Sequence, residues 1–217
     1  MADKPIIFSA PMIRALLDGR KTQTRRVLTL RNGIIHDRSD ASDCVRFFPG
    51  DRLYVREAFA KDSLMPNGVR YVATDDINEL RKKRPSIHMP RWASRLTLTV
   101  TEVGVQRLQE ISEADACAEG CKPGELNDRG EPFPAEEPHP KCGWVGWDCA
   151  RDWYADLWDS LHGPGAWDLN PWVAAYTFTV HRCNIDCLPA PLGVEQRPQV
   201  NRNIRRKTTS MAAKGGA

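Results

Sequence analysis

The run Arg20-Lys21-Thr22-Gln23-Thr24-Arg25-Arg26 sets a lysine three residues before a threonine and crowds both with guanidinium groups. A threonine hydroxyl is a weak nucleophile until a base takes its proton, and a lysine serves as that base when burial or adjacent cations lower its pKa. Arg20, Arg25 and Arg26 are such cations. A nearby carboxylate would complete the set, as general acid or base towards a leaving amine or by orienting the lysine. The same run also fits a plainer role, in which a basic turn holds a phosphate, packs its hydroxyls on its own backbone and leaves the lysine in a salt bridge.

Other groups with chemistry to offer are weaker. Tyr54, Trp92 and Trp172 are candidate base-stacking surfaces, since any base stacks on an aromatic face, although such residues more often belong to a core. Trp153 and Trp158 are expected in a core. Asp51 follows Gly50 and reads as a turn residue, and His88 and His181 read as structural histidines. The spacing His181-x-Cys183-x-x-x-Cys187, joined by Cys142 or Cys149, is the one pattern that would suit zinc. It lacks the paired short spacings of a structural zinc site, so no metal is expected. Glycine-rich phosphate loops are absent from the sequence, and no cofactor is expected.

The elements that must position these groups are short. Ser9-Ala10-Pro11 followed by Met12, Ile13, Leu16 and Leu17 reads as a helix capped by Ser9 and ended at Gly19, which places Lys21 just past a helix C-terminus. The partial negative charge of that end favours cations. Ser112 to Gly120 reads as a second short helix, with a capping serine, acids in the first turn and Glu119 in the last. Strands are expected at Arg52–Arg56, Arg70–Ala73, Arg95–Thr101 and Val173–Val180, where polar and apolar residues alternate or β-branched residues cluster. Tyr154, Leu157, Trp158 and Leu161 form one apolar stripe of a later helix. Five prolines and five glycines between Gly120 and Trp147 predict a long surface excursion. Short strands with a few helices between them predict a small mixed barrel rather than a doubly wound parallel sheet.

Composition sets the outer limits. The 217 residues carry 41% hydrophobic and 27% charged side chains, ordinary for one globular domain with decoration. No apolar run approaches the roughly 20 residues of a membrane span, and the N-terminus has no signal-like stretch. Seven cysteines without disulfide-scaffold spacing read as free thiols, so a cytoplasmic, reducing compartment is expected. Residues 188–217 hold six basic side chains against Glu195 alone, a net +5, while the other 187 residues carry −2. That tail lacks apolar periodicity and is expected to be disordered, either as an arm that neutralises phosphates or as a solvated extension.

The order of three blocks adds a resemblance. Leu17-Asp18-Gly19-Arg20-Lys21-Thr22-Gln23-Thr24-Arg25-Arg26, then Pro49-Gly50-Asp51-Arg52-Leu53-Tyr54-Val55, then Ile111 to Gly120 resemble the ASCH domain family. Met89-Pro90-Arg91-Trp92-Ala93-Ser94-Arg95 and Asn170-Pro171-Trp172-Val173 look like its longer form, common in phage and prophage genomes. The resemblance implies an α+β fold of the PUA-like class, a small mixed β-barrel with flanking helices spanning residues 1–187. It further implies a nucleoside or an RNA or DNA ligand, and no membrane. Small bacterial members remove the acetyl group from N4-acetylcytidine, which carries catalytic roles onto Lys21, Thr24 and Glu119. Lys21 would activate Thr24 for attack on the acyl carbonyl, with Glu119 as acid or base. Arg20, Thr22, Arg25 and Arg26, with Tyr54, Trp92 and Trp172, would line the ligand site. A non-catalytic RNA- or DNA-binding module and a phage accessory scaffold are the competing readings, because fold does not fix function. The long insertions between the blocks depart from the short enzymes.

Overall fold

Alternation along short segments builds a central mixed sheet. The computed structural model describes residues 3–30, 35–75, 82–126, 132–134, 137–139, 143–145 and 147–189. Cys142, the basic tail from residue 190 onward and parts of the Pro/Gly-rich stretch lie outside the described residues. In chain order the elements are β1 (Lys4–Ile7), α1 (Ala10–Leu17), β2 (Gln23–Val27), α2 (Arg38–Ser42), β3 (Arg52–Arg56), β4 (Phe59–Lys61), β5 (Val69–Tyr71) and β6 (Lys83–Arg84). They continue as β7 (Thr97–Arg107), α3 (Glu113–Ala118), β8 (Pro123–Leu126), β9 (Pro132–Pro134), β10 (Glu137–His139), β11 (Gly143–Val145), α4 (Ala150–His162) and β12 (Trp172–His181). The class is α+β.

The main sheet runs β1-β3-β7-β12-β2. β1 lies parallel to β3, and the remaining pairings are antiparallel. Leu96, Leu98 and Val100 are buried, as their alternation predicts, and Leu53 and Val55 bury the matching face of β3. Thr97 is buried too, because its hydroxyl donates to the Cys183 carbonyl at 3.0 Å where the chain turns back after β12. β7 continues to Arg107, well past the expected end at Thr101. It pairs with β12 along its length, with a register shift between Thr177 and Phe178 that bends the ladder.

α1 buries Met12, Ile13 and Leu16 against this sheet, together with Leu53, Leu98, Tyr176 and Phe178. Full burial of such side chains is worth about 1.5–3 kcal/mol each. Ser9 takes the extended N-cap conformation without a side-chain capping bond, and its carbonyl accepts Ile13 N–H at 3.0 Å. Gly19, at φ +77°, provides the left-handed exit. A second cluster joins α3 and α4 through Ala116, Trp153, Tyr154, Trp158 and Val173. Leu161 departs from the expected apolar stripe, standing 54% exposed where the end of α4 leaves the core.

β4, β5 and β6 form a three-stranded sheet, while β8–β9 and β10–β11 are two-stranded. The Pro-rich excursion therefore contains two antiparallel ladders. Asp51 serves its turn by accepting from Phe48 N–H at 3.1 Å and from Lys4 Nζ at 2.8 Å. Among the described residues no helix is long and apolar enough to cross a membrane.

Candidate functional site

The chain leaving α1 runs directly against the end of α3. Lys21 N–H donates to the Ala15 carbonyl at 3.1 Å, and Thr22 N–H to the Ala118 carbonyl at 2.9 Å. Lys21 and Glu119 form an isolated antiparallel bridge. This approach needs Gly120. Its φ is +113°, and a Cβ there would lie 2.9 Å from Ala15 Cβ and 3.3 Å from Lys21 Cβ. Gly120→Ala is therefore expected to cost about 1–3 kcal/mol from backbone strain and overlap, read as a lower urea midpoint at unchanged slope.

The bridge brings two charged side chains together out of water. Lys21 Nζ donates to Glu119 Oε2 at 2.7 Å and to the Glu119 carbonyl at 2.8 Å. Arg25 Nη1 donates to Glu119 Oε1 at 3.1 Å, and the Tyr154 hydroxyl reaches the same oxygen at 3.4 Å. Arg25 also donates to Asp115 Oδ2 at 3.1 Å and to Gln23 Oε1 at 2.6 Å, leaving its buried Nε–H without an acceptor among the described residues. Lys21, Arg25 and Glu119 are 1–2% exposed.

Burial pushes the Lys21 ammonium below its ordinary value near 10.5, with Arg26 and Arg25 adding to the shift while Glu119 opposes it. Burial, reinforced by Glu119, raises the Tyr154 hydroxyl well above its ordinary range, so it stays protonated and donates.

Above the network lies a cleft of about 780 Å³ between the two outer strands of the sheet. Pro5 to Phe8 line it from β1 and beyond, and Thr24 to Val27 line it from β2. Arg26 Nη2 crosses the gap to donate to the Ile7 carbonyl at 3.0 Å. Phe8 packs between two cations, with Lys21 Nζ 5.6 Å and Arg26 Cζ 5.2 Å from its ring centre. Thr24 sits opposite Tyr176 in the β2–β12 pairing, is 2% exposed, and its hydroxyl makes no hydrogen bond among the described residues. Trp158 and His162 stack at 4.1 Å along one wall.

Of the candidate site residues named from sequence, Lys21, Thr24, Glu119, Arg25 and Arg26 meet at this cleft. The rest do not. Arg20 turns to Asp18 and the Gly120 carbonyl, and Thr22 is exposed. Tyr54 alternates with Leu53 and Val55 onto the other face of β3, where Arg91 lies 5.9 Å from its ring centre. Trp92 sits in the 3-10 turn Arg91–Ala93, 59% exposed. Trp172 is covered by Arg107 at 4.4 Å, and its buried Nε1–H has no partner among the described residues.

Residues that sequence reasoning missed are Tyr154, Phe8, Arg46, Tyr176 and His162. Tyr154 alone left a signal, since a hydroxyl in an otherwise apolar stripe requires a buried partner. His181 Nε2 lies 3.0 Å from Thr99 Oγ1, and among the described residues no three His, Cys, Asp or Glu side chains converge as metal ligands. Burial pushes the Cys149 thiol up to about 11.

Fold and site thus define an α+β protein with a buried Lys–Glu–Arg network beneath a basic, aromatic-walled cleft. Comparison with models of protein families, with curated proteins and with solved structures finds no match to this chain.

Proposed function

We propose that this chain is an ASCH-like protein of the PUA-like barrel class, acting as an amidohydrolase on an N4-acylated cytidine or a related modified nucleoside. The observation that carries the reading is one juxtaposition at the cleft. A buried lysine with a depressed pKa and a buried threonine whose hydroxyl is uncommitted among the described residues lie within one short segment. The barrel is supported by the facing of the two outer strands across the gap that Arg26 bridges.

In this mechanism neutral Lys21 takes the Thr24 proton as Oγ1 attacks the acyl carbonyl. The tetrahedral intermediate collapses, the cytosine amine leaves with the proton held on Lys21, and Thr24 is left as an ester. Water, deprotonated by the same lysine, releases the carboxylic acid and restores the hydroxyl. Glu119 holds Lys21 Nζ in place through the 2.7 Å contact and stabilises the ammonium that forms.

A second reading, binding without turnover to RNA or DNA, draws on the state of Glu119. Its two oxygens already take donors from Lys21, Arg25 and Tyr154, as a purely structural network would.

Chromatography of N4-acetylcytidine incubated with the purified protein separates the two. Conversion to cytidine that disappears in Thr24→Ala, with the melting curve unchanged, is the expected result. No conversion by a folded wild type overturns the hydrolase reading and favours the binding one.

A further inference from the structure

We propose that Arg26, Arg46 and Arg56 form a phosphate subsite in the cleft, so that the preferred ligand is a phosphorylated nucleoside rather than a neutral one; this rests on the nucleoside reading above.

The cleft is lined by five Lys and Arg side chains, Lys21, Arg25, Arg26, Arg46 and Arg56, and by one carboxylate, Glu119. Glu119 is taken up by Lys21 and Arg25, and Arg25 also pairs with Asp115. The other three arginines have no carboxylate partner among the described residues. Arg26 donates to the carbonyls of Arg25 at 3.2 Å and Ile7 at 3.0 Å. Arg56 donates to the Met89 carbonyl at 2.9 Å and to the Ile87 carbonyl. Arg46 is exposed, its guanidinium 5.9 Å from the Phe47 ring centre, and its backbone N–H donates to the Tyr176 hydroxyl at 3.3 Å.

Carbonyl contacts fix the Arg26 and Arg56 guanidiniums without forming an ion pair, and Arg26 feels the Glu119 charge only at a distance, which leaves room for a further anion. Outside the cleft some arginines pair with acids, as in Arg52–Asp3, Arg70–Asp62, Arg91–Asp186 and Arg95–Glu57, while Arg14, Arg107, Arg151 and Arg182 donate to backbone carbonyls. The cleft is set apart by gathering three arginines that lack a carboxylate partner among the described residues around one cavity whose single carboxylate is already engaged by Lys21 and Arg25.

Arg26 and Arg46 flank the same aromatic wall. Both act electrostatically on the Tyr176 hydroxyl, and Phe8 and Phe47 lie beneath the two guanidinium groups. Several unpaired guanidiniums beside aromatic faces suit a multiply charged anion with three acceptor oxygens joined to a flat ring, the chemistry of a nucleotide. A carboxylate would satisfy one fork and leave the others. The cleft volume of 780 Å³ falls within the roughly 300–1,000 Å³ of small-molecule sites.

The test is calorimetric titration of the full chain with cytidine, cytidine 5′-monophosphate and the dinucleotide CpC. A phosphate-bearing probe is expected to bind at least about tenfold tighter than cytidine, by an increment that shrinks with added salt. The ratio is expected to collapse towards one in Arg46→Ala, whose exposed position protects the fold, and to persist in Lys61→Ala, which removes an exposed charge outside the cleft. The tighter of the two phosphate probes names the source, a monoester or the diester of a nucleic acid. Equal affinities for all three probes, or a preference that survives both Arg46→Ala and Arg26→Ala, overturns the subsite. Turnover of N4-acetylcytidine tests the hydrolase reading alone. Turnover without phosphate preference removes only the subsite, and phosphate-dependent binding without turnover removes only the hydrolase.

Discussion

Glu119→Gln is expected to lower stability by about 3–5 kcal/mol, because it leaves Lys21 and the Arg25 arm without their shared anion inside the protein. Lys21 keeps only the backbone carbonyl of residue 119 at 2.8 Å, while Arg25 retains Asp115. For a chain of this length the change corresponds to a melting temperature lower by on the order of 10 °C. Thermal unfolding followed by circular dichroism reads it directly. Adding Lys21→Met to Glu119→Gln is expected to restore part of the loss, because the stranded ammonium is removed with its partner, and the double-mutant cycle measures that coupling. Equal melting temperatures for wild type and Glu119→Gln would mean that water replaces the carboxylate. Stability alone does not call for these charges, since an apolar set of the same volume holds a fold as well or better. Their presence beneath a cleft is better matched to a task.

The contrast between β7 and β2 explains what was legible in the sequence. β7 and β12 carry alternating or β-branched apolar residues because a core covers one of their faces, and both strands were readable. α1 and α3 were readable from their terminal residues, Gly19 and Ser112 among them. Gln23-Thr24-Arg25-Arg26-Val27 has no such alternation, although it pairs with β12 throughout. Thr24 and Arg25 are both buried and both line the cleft, and Arg25 reaches on to Glu119 and Asp115. Polar residues stand where apolar ones would mark the strand, and the requirement that makes them useful hides the element.

The site divides along the same line. Lys21, Thr24 and Glu119 were reached from a motif, whereas Arg46, Phe8 and Tyr176 come to the cleft only through strand order. β1 and β2 stand at opposite ends of the sheet order and yet face each other across one cleft. No local pattern encodes that meeting. The stacking candidates Tyr54, Trp92 and Trp172 illustrate the converse, since residue type proposed them and the fold directs them elsewhere, Tyr54 and Trp172 within strands and Trp92 in a 3-10 turn.

Lys21→Met is expected to reduce turnover of N4-acetylcytidine by about 10²–10⁴-fold, the range that a positioned base contributes. Thr24→Ser keeps a nucleophilic hydroxyl at the same place and is expected to retain measurable activity where Thr24→Ala has none. The pH dependence tells a base from a structural cation. Lys21 must lose its proton to act, and burial holds its pKa below 10.5, so the rate should rise with pH along a limb lying below the ordinary lysine range. Stability carries the same sign. Between the lowered value in the fold and the ordinary one in the unfolded chain, the unfolded state binds more protons, so this group's contribution to stability increases with pH across that window. Below the window the ammonium is present in both states and its desolvation opposes folding in full. A rising limb that belongs to Lys21 must vanish in Lys21→Met. If residual activity in that variant keeps the same limb, the base lies elsewhere, and His162 at the cleft wall is the next side chain to replace.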